Sequence, residues 1–383
     1  MKIHFYNRDD YNSLTGKLFI TYNKGNYKIG LPHFTEHLLF KKLMRDNYNI
    51  ENKGINIYAN TTSDFIWFEL NARSEHATLA VKALMDMIIY YEIQDRDLEA
   101  ERKVIYEELA YLESDPEYMV KNSVIKKLWE DNFNSKSVIG NYEDILNINK
   151  KDINEFLNDN SSNLFLSLYG KANLSEIVFL LENYNKENHT NNIKDIPKIN
   201  EEKLNINIQS VLSSDTSEVV HTCIGYKIYN WKKYDRWVFD LINTYLGDGL
   251  GSKLNTTIRD DKSLVYEVWS DCNYFEEDMQ FLIGFTSTKR NVERVIALIK
   301  KLVTTLILQE DELYIAKQKL ISELTYAYDD AELYTYSVAR YYLQMNQILS
   351  LDSIKDRINS IELHELNQVI RVIFNKDMVI SQV

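Results

Sequence analysis

The sequence predicts an α+β fold made of two homologous domains. Strand-like runs from Phe65 to Asn71 and from Met279 to Thr286 mix with helical stretches without strict β-α-β alternation, which is typical of α+β domains. An internal repeat aligns the segment from Asp97 to Tyr111 with the segment from Glu312 to Tyr326. Because only two copies occur at a long period, the repeat indicates a duplicated domain and not a solenoid.

Length and composition agree with two domains. The chain has 383 residues, and 45% of them are hydrophobic, which is enough to build sizeable cores. The expected boundary is a polar run rich in Asn, Lys and Glu around Pro197, one of three prolines. The sequence therefore predicts a first domain at 1–190, a linker at 191–203 and a second domain at 204–383.

The first element that carries chemistry is His33-Phe34-Thr35-Glu36-His37. Two imidazoles four residues apart lie on one face of a helix, within reach of a single metal ion. Glu36 is placed to reach a metal-bound water and accept its proton. The motif therefore predicts a zinc site that has its own general base.

A catalytic zinc ion needs a third protein ligand and keeps its fourth position open. The acidic helical stretch from Glu99 to Leu109 offers that ligand. Glu101 and Glu108 are two helical turns apart and share one face, whereas a stretch this acidic is more often a solvated surface. Glu107, next to Glu108, is the main rival for the third position.

These motifs resemble those of the pitrilysin-like zinc peptidases, whose members include insulin-degrading enzyme and the mitochondrial processing peptidase. The family's H-x-x-E-H and its later E-R-x-V-x-x-E-E segment correspond to residues 33–37 and 101–108, and the chain looks closest to the short bacterial members. The resemblance implies zinc ligation by His33, His37 and Glu108, with Glu36 as the general base. It implies that Glu101 orients or polarises the site. It also implies two mixed, mainly antiparallel sheets with helices packed on them, closing as a clamshell around a chamber.

The second half resembles the same family in its glycine-rich segment from Leu246 to Leu254. Arg259 and Tyr266 follow with the spacing of the family's arginine–tyrosine pair. The resemblance implies that Arg259 anchors the substrate backbone and that Tyr266 binds the substrate and steadies the oxyanion. The family's Asn-Ala-x-Thr segment appears here as Tyr58-Ala59-Asn60-Thr61, so that Asn60 is the shifted candidate for its substrate-contacting asparagine.

The repeat also predicts how many metal sites the chain has. It aligns His33, Glu36 and His37 with Gly249, Ser252 and Lys253, so the second half has no histidine where the first half has its ligands. We therefore expect one zinc ion per chain.

Several other classes are disfavoured by composition. A formal charge of −13 and the lack of a basic patch argue against nucleic-acid binding, and no apolar stretch approaches the length of a membrane span. Cys223 and Cys272 lie far apart without a signal peptide, which favours free thiols in the cytoplasm.

The sequence thus predicts a cytoplasmic zinc endopeptidase that cleaves short or unfolded peptides inside a closed chamber. A ribosomally made precursor peptide is one expected substrate, and the partner is expected to be a second copy or a related chain, giving a homodimer or heterodimer. The alternative is a peptide-binding subunit of a heterodimeric peptidase, with little activity of its own. Metal analysis separates the two.

Overall fold

The computed structural model describes residues 1–45, 50–89, 91, 93–130, 132–187 and 218–383. The strands in these ranges form two separate sheets. The strands are β1 (Lys2–Asn7), β2 (Ser13–Thr21), β3 (Asn56–Thr61), β4 (Phe65–Arg73), β5 (Leu164–Gly170), β6 (Val219–Ile228), β7 (Glu267–Tyr274), β8 (Met279–Thr288) and β9 (Val379–Gln382).

The helices alternate with the strands in an irregular order. They are α1 (Leu31–Arg45), α2 (Ala77–Ile89), α3 (Asp95–Ser114), α4 (Pro116–Trp129), α5 (Tyr142–Leu146), α6 (Lys150–Asn160), α7 (Leu174–Glu187), α8 (Arg236–Leu246), α9 (Val292–Thr304), α10 (Glu310–Asp329), α11 (Ala331–Met345), α12 (Leu351–Ser360) and α13 (Leu363–Phe374). None of the described helices has the length and apolar character needed to span a bilayer.

The two sheets share one strand order. The first sheet runs β1-β5-β2-β4-β3 and the second runs β9-β6-β8-β7, so that β5, β2, β4 and β3 correspond to β9, β6, β8 and β7. All pairings are antiparallel except that of β1 with β5. The predicted α+β fold with two homologous domains is confirmed. The first sheet is mixed and mainly antiparallel, as predicted, whereas the described strands of the second sheet are all antiparallel.

The helices repeat as well. Helices α3 and α10 begin at Asp95 and Glu310, and each is 20 residues long. Each is followed by an aspartate whose side chain caps the next helix, Asp115 for α4 and Asp330 for α11. The repeat predicted from the sequence is therefore a repeat of structure.

By internal contacts, the chain divides into two compact units. Unit 1 takes its described residues from Met1–Leu109, Ser137–Ile206 and Ala327–Leu349, and unit 2 takes them from Ala110–Lys136, Asn207–Tyr326 and Ser350–Val383. Helix α11, which comes late in the sequence, thus belongs to unit 1, and the early helix α4 belongs to unit 2. The predicted linker at 191–203 lies outside the described residues, and the division at 1–190 and 204–383 stays a prediction.

The core of unit 1 lies on both faces of its sheet. On one face, α11 packs Ala339 against the aromatic rings of Phe19, Phe65 and Phe165. On the other face, α2 and α1 cover β4, and their apolar side chains are buried. Helix α1 is therefore fixed between the sheet and the other helices of unit 1.

In unit 2, helix α4 packs on β6 and β9. Val124 and Leu128 come so close to β6 that a Cβ atom added at Gly225 would lie 2.5–2.6 Å from their methyl carbons. Only glycine permits this approach. Cys223 and Cys272 are buried in β6 and β7, and no disulfide joins them.

Candidate metal centre

The H-x-x-E-H motif forms the first two turns of α1, which begins directly after Gly30. Gly30 has a φ of +78°, and a Cβ atom there would lie 2.6 Å from the carbonyl oxygen of Ile139. A side chain would therefore be strained and would clash with backbone. Phe34 and Leu38 are buried on the core side of the helix, which leaves His33 and His37 together on the side toward α3.

His33, His37 and Glu108 meet between α1 and α3, within unit 1. Glu108 Oε1 lies 3.5 Å from His33 Nε2, and Glu108 Oε2 lies 3.3 Å from His37 Nε2. The two imidazole rings have their centroids 4.7 Å apart. The structure therefore brings together the three side chains that the sequence nominated as ligands.

Glu107 does not take part in this cluster. It is exposed, whereas Glu108 is half-buried against both histidines, because adjacent residues of a helix point about 100° apart. Of the two rivals, geometry favours Glu108.

Contacts within the cluster shift the pKa values of Glu108 and His37. Hydrogen bonding to His33 and then to His37 holds the pKa of Glu108 well below its usual range. Burial by itself would lower the pKa of His37, but its contacts with Glu108, Glu36 and Glu101 outweigh burial and raise that pKa. The cluster therefore concentrates negative charge beside two imidazoles.

The donor set fits a zinc ion. One ligand atom from each of the three residues lies within 4.8 Å of the others. Donor atoms bound at about 2.0–2.2 Å to one tetrahedral zinc lie roughly 3.3 Å apart, which is close to the distances seen here. Within the parts of the chain that the structure describes, this is the only such group of three or more His, Cys, Asp or Glu side chains.

Glu36 lies on the same helix and contacts a residue that sequence reasoning did not single out. The Thr61 hydroxyl donates a 2.6 Å hydrogen bond to Glu36 Oε2. Thr61 ends β3, the edge strand of the first sheet. Its position in the Asn-Ala-x-Thr segment is the sequence signal that could have identified Thr61. The prediction considered only the asparagine of that segment.

Asn60 is oriented differently. Successive side chains of a strand point to opposite faces, so that Asn60 and Thr61 project on opposite sides of β3. Asn60 is exposed, whereas Thr61 is half-buried against Glu36. The structure does not bring Asn60 to the histidines, and its substrate contact stays a prediction.

Glu101 lies behind His37. Its Oε2 lies 3.2 Å from His37 Nδ1, and its Oε1 accepts a 2.7 Å hydrogen bond from Lys41 Nζ. A carboxylate at Nδ1 fixes the tautomer that leaves Nε2 free for a metal. His33 has no such support, because its buried Nδ1 has no hydrogen-bond partner among the described residues.

Arg259 and Tyr266 both belong to unit 2. Arg259 is half-buried in the helical segment Asn255–Asp260, and Tyr266 precedes β7 with 77% of its surface exposed. The Tyr266 amide donates to the Thr286 carbonyl, which fixes its backbone at the sheet while the ring stays exposed. Their action on a substrate at the metal centre stays a prediction.

Comparisons with known proteins agree with this geometry. The family model described as Insulinase (Peptidase family M16) matches residues 22–141, and the model described as Peptidase M16 inactive domain matches residues 147–320. Together the two models cover more than half of the chain. The split places the H-x-x-E-H motif and Glu108 in the first match and Arg259 and Tyr266 in the second.

Individual relatives are distant but extend along most of the chain. The protein named uncharacterized zinc protease YmxG of Bacillus subtilis is 22% identical over 92% of this chain and 87% of its own length. The mitochondrial-processing peptidase subunit beta of Dictyostelium discoideum is 22% identical over 89% of this chain and 76% of its own length. The crystal structure of a protease from Helicobacter pylori has a TM-score of 0.86 at 17% identity, covering 99% of this chain and 96% of that one.

The repeated fold, the H-x-x-E-H motif on α1 and the two family models lead to one conclusion. This chain belongs to the insulinase family of peptidases, family M16.

Proposed function

We propose that this protein is a zinc-dependent endopeptidase that binds one zinc ion per chain through His33, His37 and Glu108. The observation that carries the proposal is the meeting of two imidazole nitrogens and one carboxylate on α1 and α3. Two histidines and one glutamate are a catalytic ligand set that leaves a fourth position open. Zinc bound there would supply Lewis acidity toward water and the peptide carbonyl.

Glu36 is the proton carrier of the proposed reaction. It accepts a proton from the attacking water and delivers it to the leaving amine as the peptide C–N bond breaks. The hydrogen bond from Thr61 occupies one carboxylate oxygen and leaves the other for proton transfer. Thr61 is therefore proposed to hold Glu36 in its reactive orientation.

Glu101 is proposed to act through His37 and not on the substrate. Its contact with Nδ1 keeps the lone pair of Nε2 directed toward the metal side of the ring. Tyr266 is proposed to donate its hydroxyl to the developing oxyanion, and Arg259 to hold the peptide backbone. Exposure of the Tyr266 ring supports its role.

The proposed substrate is an extended peptide. Strand β3 is an edge strand, so its outer backbone groups are available to pair with a peptide in β conformation. Thr61 places the end of that strand at Glu36. Short or unfolded peptides, including a ribosomally made precursor, meet this requirement, and we propose that the two domains enclose them in a closed chamber.

We further propose that the protein works in the cytoplasm as a dimer with itself or with a related chain. Two buried cysteines that form no disulfide fit a reducing compartment. One relative is named a subunit, which supports an oligomer. It also supports a second candidate function, that of a peptide-binding partner with little activity of its own. The complete ligand set on α1 and α3 favours the enzyme.

Cleavage of an unstructured peptide library, followed by mass spectrometry, tests the proposal. We expect endoproteolytic products that disappear with a zinc chelator and return with added zinc. Glu36→Gln should retain the zinc and the fold but lose about 10³-fold or more in rate, because an amide cannot accept the proton. Zinc-loaded wild-type protein that cuts nothing in the library would point to the partner subunit instead.

A further inference from the structure

We propose that Lys41 is a positioning residue of the metal centre: it holds Glu101 so that Glu101 can orient His37. This inference rests on the proposed zinc site. Lys41 lies on α1, one helical turn after His37, and Glu101 lies on α3. The three side chains form a line from the surface to the imidazole.

The distances define the order of contacts. Lys41 Nζ donates to Glu101 Oε1 at 2.7 Å, and Glu101 Oε2 lies 3.2 Å from His37 Nδ1. The side chain of Glu101 is 12% exposed and that of Lys41 is 33% exposed. Each oxygen of the buried carboxylate thus has one partner, and the lysine supplies the positive charge that a buried carboxylate needs.

Lys41 also restricts the orientation of the Glu101 carboxylate. A buried carboxylate that lost its ammonium partner would have one unsatisfied oxygen. It would rotate away from His37 to find another donor, and the imidazole would lose the support at Nδ1. The ammonium therefore keeps Glu101 at Nδ1 of His37, where it orients the ring.

The asymmetry between the two histidines makes this contact important. The Nδ1 atom of His33 is buried without a hydrogen-bond partner in the described part of the chain. His37 is the ligand whose orientation is controlled from behind, and Glu101 provides that control. Loss of the Lys41 contact would leave both imidazoles poorly supported.

Unit 2 shows that the fold does not require this pair. The repeat aligns Glu101 with Ala316 and Lys41 with Thr257. A different neighbour on the same helix, Arg102, is matched by Lys317, and both of these donate to backbone carbonyls. The pair of Lys41 and Glu101 therefore occurs only in the repeat that has the histidines.

Zinc affinity of three single variants tests the proposal. Lys41→Met removes the ammonium and keeps most of the packing volume. Lys82→Met is the matched control, because Lys82 pairs with the buried carboxylate of Asp86 elsewhere in unit 1. Lys41→Arg restores the charge. Competition with a chromophoric chelator gives each dissociation constant, and thermal melts establish that each variant is folded.

We expect Lys41→Met to bind zinc about 10–100-fold more weakly, the usual cost of losing support behind a ligand. Lys82→Met should bind as wild type does, and Lys41→Arg should recover most of the loss. In the cobalt-substituted protein, Lys41→Met should also change the visible spectrum, because His37 is then less firmly oriented at the metal.

Three outcomes overturn the inference in distinguishable ways. Wild-type protein that binds no zinc would remove the proposed function together with this inference. Zinc affinity and a cobalt spectrum unchanged in a folded Lys41→Met variant would remove only the role of Lys41 and leave the metal centre intact. A loss of the same size in Lys82→Met would show a general effect of stability on the site.

Discussion

Units 1 and 2 have the same strand order and corresponding long helices, yet among the described residues only unit 1 brings together two histidines and a glutamate that could hold a metal ion. Glu108 of α3 corresponds to Glu323 of α10, so both repeats have a carboxylate at this position. In unit 1 that carboxylate meets two histidines. In unit 2 it lies 3.6 Å from the ammonium of Lys319, which also lies 3.7 Å from Asp248.

The difference shows that one scaffold can surround the same carboxylate with two different sets of partners. In unit 2 a lysine of the chain itself supplies the positive charge. In unit 1 the position of Lys319 is occupied by Val104, and two histidines contact the carboxylate instead. Another contact of the helices is the same in both units, because Arg102 and Lys317 each donate to two backbone carbonyls.

The largest effect is expected from changing the two corresponding carboxylates. Glu108→Gln removes a proposed ligand and should weaken zinc binding by more than about 100-fold, beyond the usual loss for an outer-sphere group. Glu323→Gln should leave zinc binding unchanged, because its neighbour is Lys319. Elemental analysis after dialysis against a weak chelator measures both. Equal losses in the two variants would break the comparison.

The next effect tests whether unit 2 contributes to catalysis. Tyr266→Phe removes one hydroxyl, and kcat should fall about 10²-fold, the scale for losing an oxyanion donor. Tyr314→Phe, at another exposed tyrosine of unit 2, is the control and should leave kcat unchanged. Arg259→Ala should act mainly by raising KM. A Tyr266→Phe variant with normal kcat would restrict the chemistry to unit 1.

A smaller effect should come from the contact that both units share. Arg102 donates to the carbonyls of Ile145 and Ile148, and Lys317 donates to those of Asn359 and Ile361. Arg102→Ala should reduce the free energy of unfolding by about 2–4 kcal/mol, since it leaves two buried carbonyls without a charged donor. Lys317→Ala should cost about 1–2 kcal/mol, because Lys317 is less buried. Denaturant unfolding measures both values.

Arg102→Lys provides the control for that pair. It imitates the residue of unit 2 and should recover part of the lost stability, although one ammonium cannot reproduce the planar fork of the guanidinium. If the alanine variants kept full stability, these contacts would not stabilise either repeat.

The smallest effect concerns the pH dependence of the metal-free protein. The pKa of His37 is raised in the folded state, so the stability from its charged form is complete below about pH 6.5 and is lost as pH rises through the folded pKa. The apoprotein should therefore lose a few degrees or less of Tm between pH 6 and pH 8. In Glu108→Gln this loss should be smaller. Identical pH profiles would show that Glu108 does not stabilise charged His37.

The low pKa of Glu108 acts in the opposite direction. The stability that ionised Glu108 contributes is present above the unfolded pKa of about 4.3 and is lost as pH falls through the folded pKa. Zinc binding requires neutral imidazoles, so zinc affinity should rise over the range in which the stability of the apoprotein declines.

Much of the fold and of the candidate metal centre could be predicted from the sequence. The motif at His33 and His37 is local, and the periodicity of α3 correctly placed Glu101 and Glu108 on one face. The α+β class and the repeat were also visible, because matched apolar positions and helix starts are properties of short segments. Glu107 and Glu108 could not be separated by the pattern alone, since an offset of one residue leaves the motif intact.

Other features depend on contacts between distant segments. The placement of α4 in unit 2 and of α11 in unit 1 follows from packing on sheets formed elsewhere in the chain, which local periodicity does not encode. The hydrogen bond from Thr61 to Glu36 joins an edge strand to a helix, and the contact of Lys41 with Glu101 joins two helices. Neither pair has a diagnostic spacing in the sequence.

The central claim is that one metal ion is held in unit 1 by two imidazoles and a carboxylate. Zinc-edge X-ray absorption of the purified protein, with elemental analysis of the same sample, tests it most directly. We predict one zinc per chain, with the scattering pattern of two histidines, nitrogen and oxygen ligands at about 2.0–2.2 Å, and no sulfur. A sulfur ligand, fewer than two imidazoles or a second zinc per chain would contradict the account.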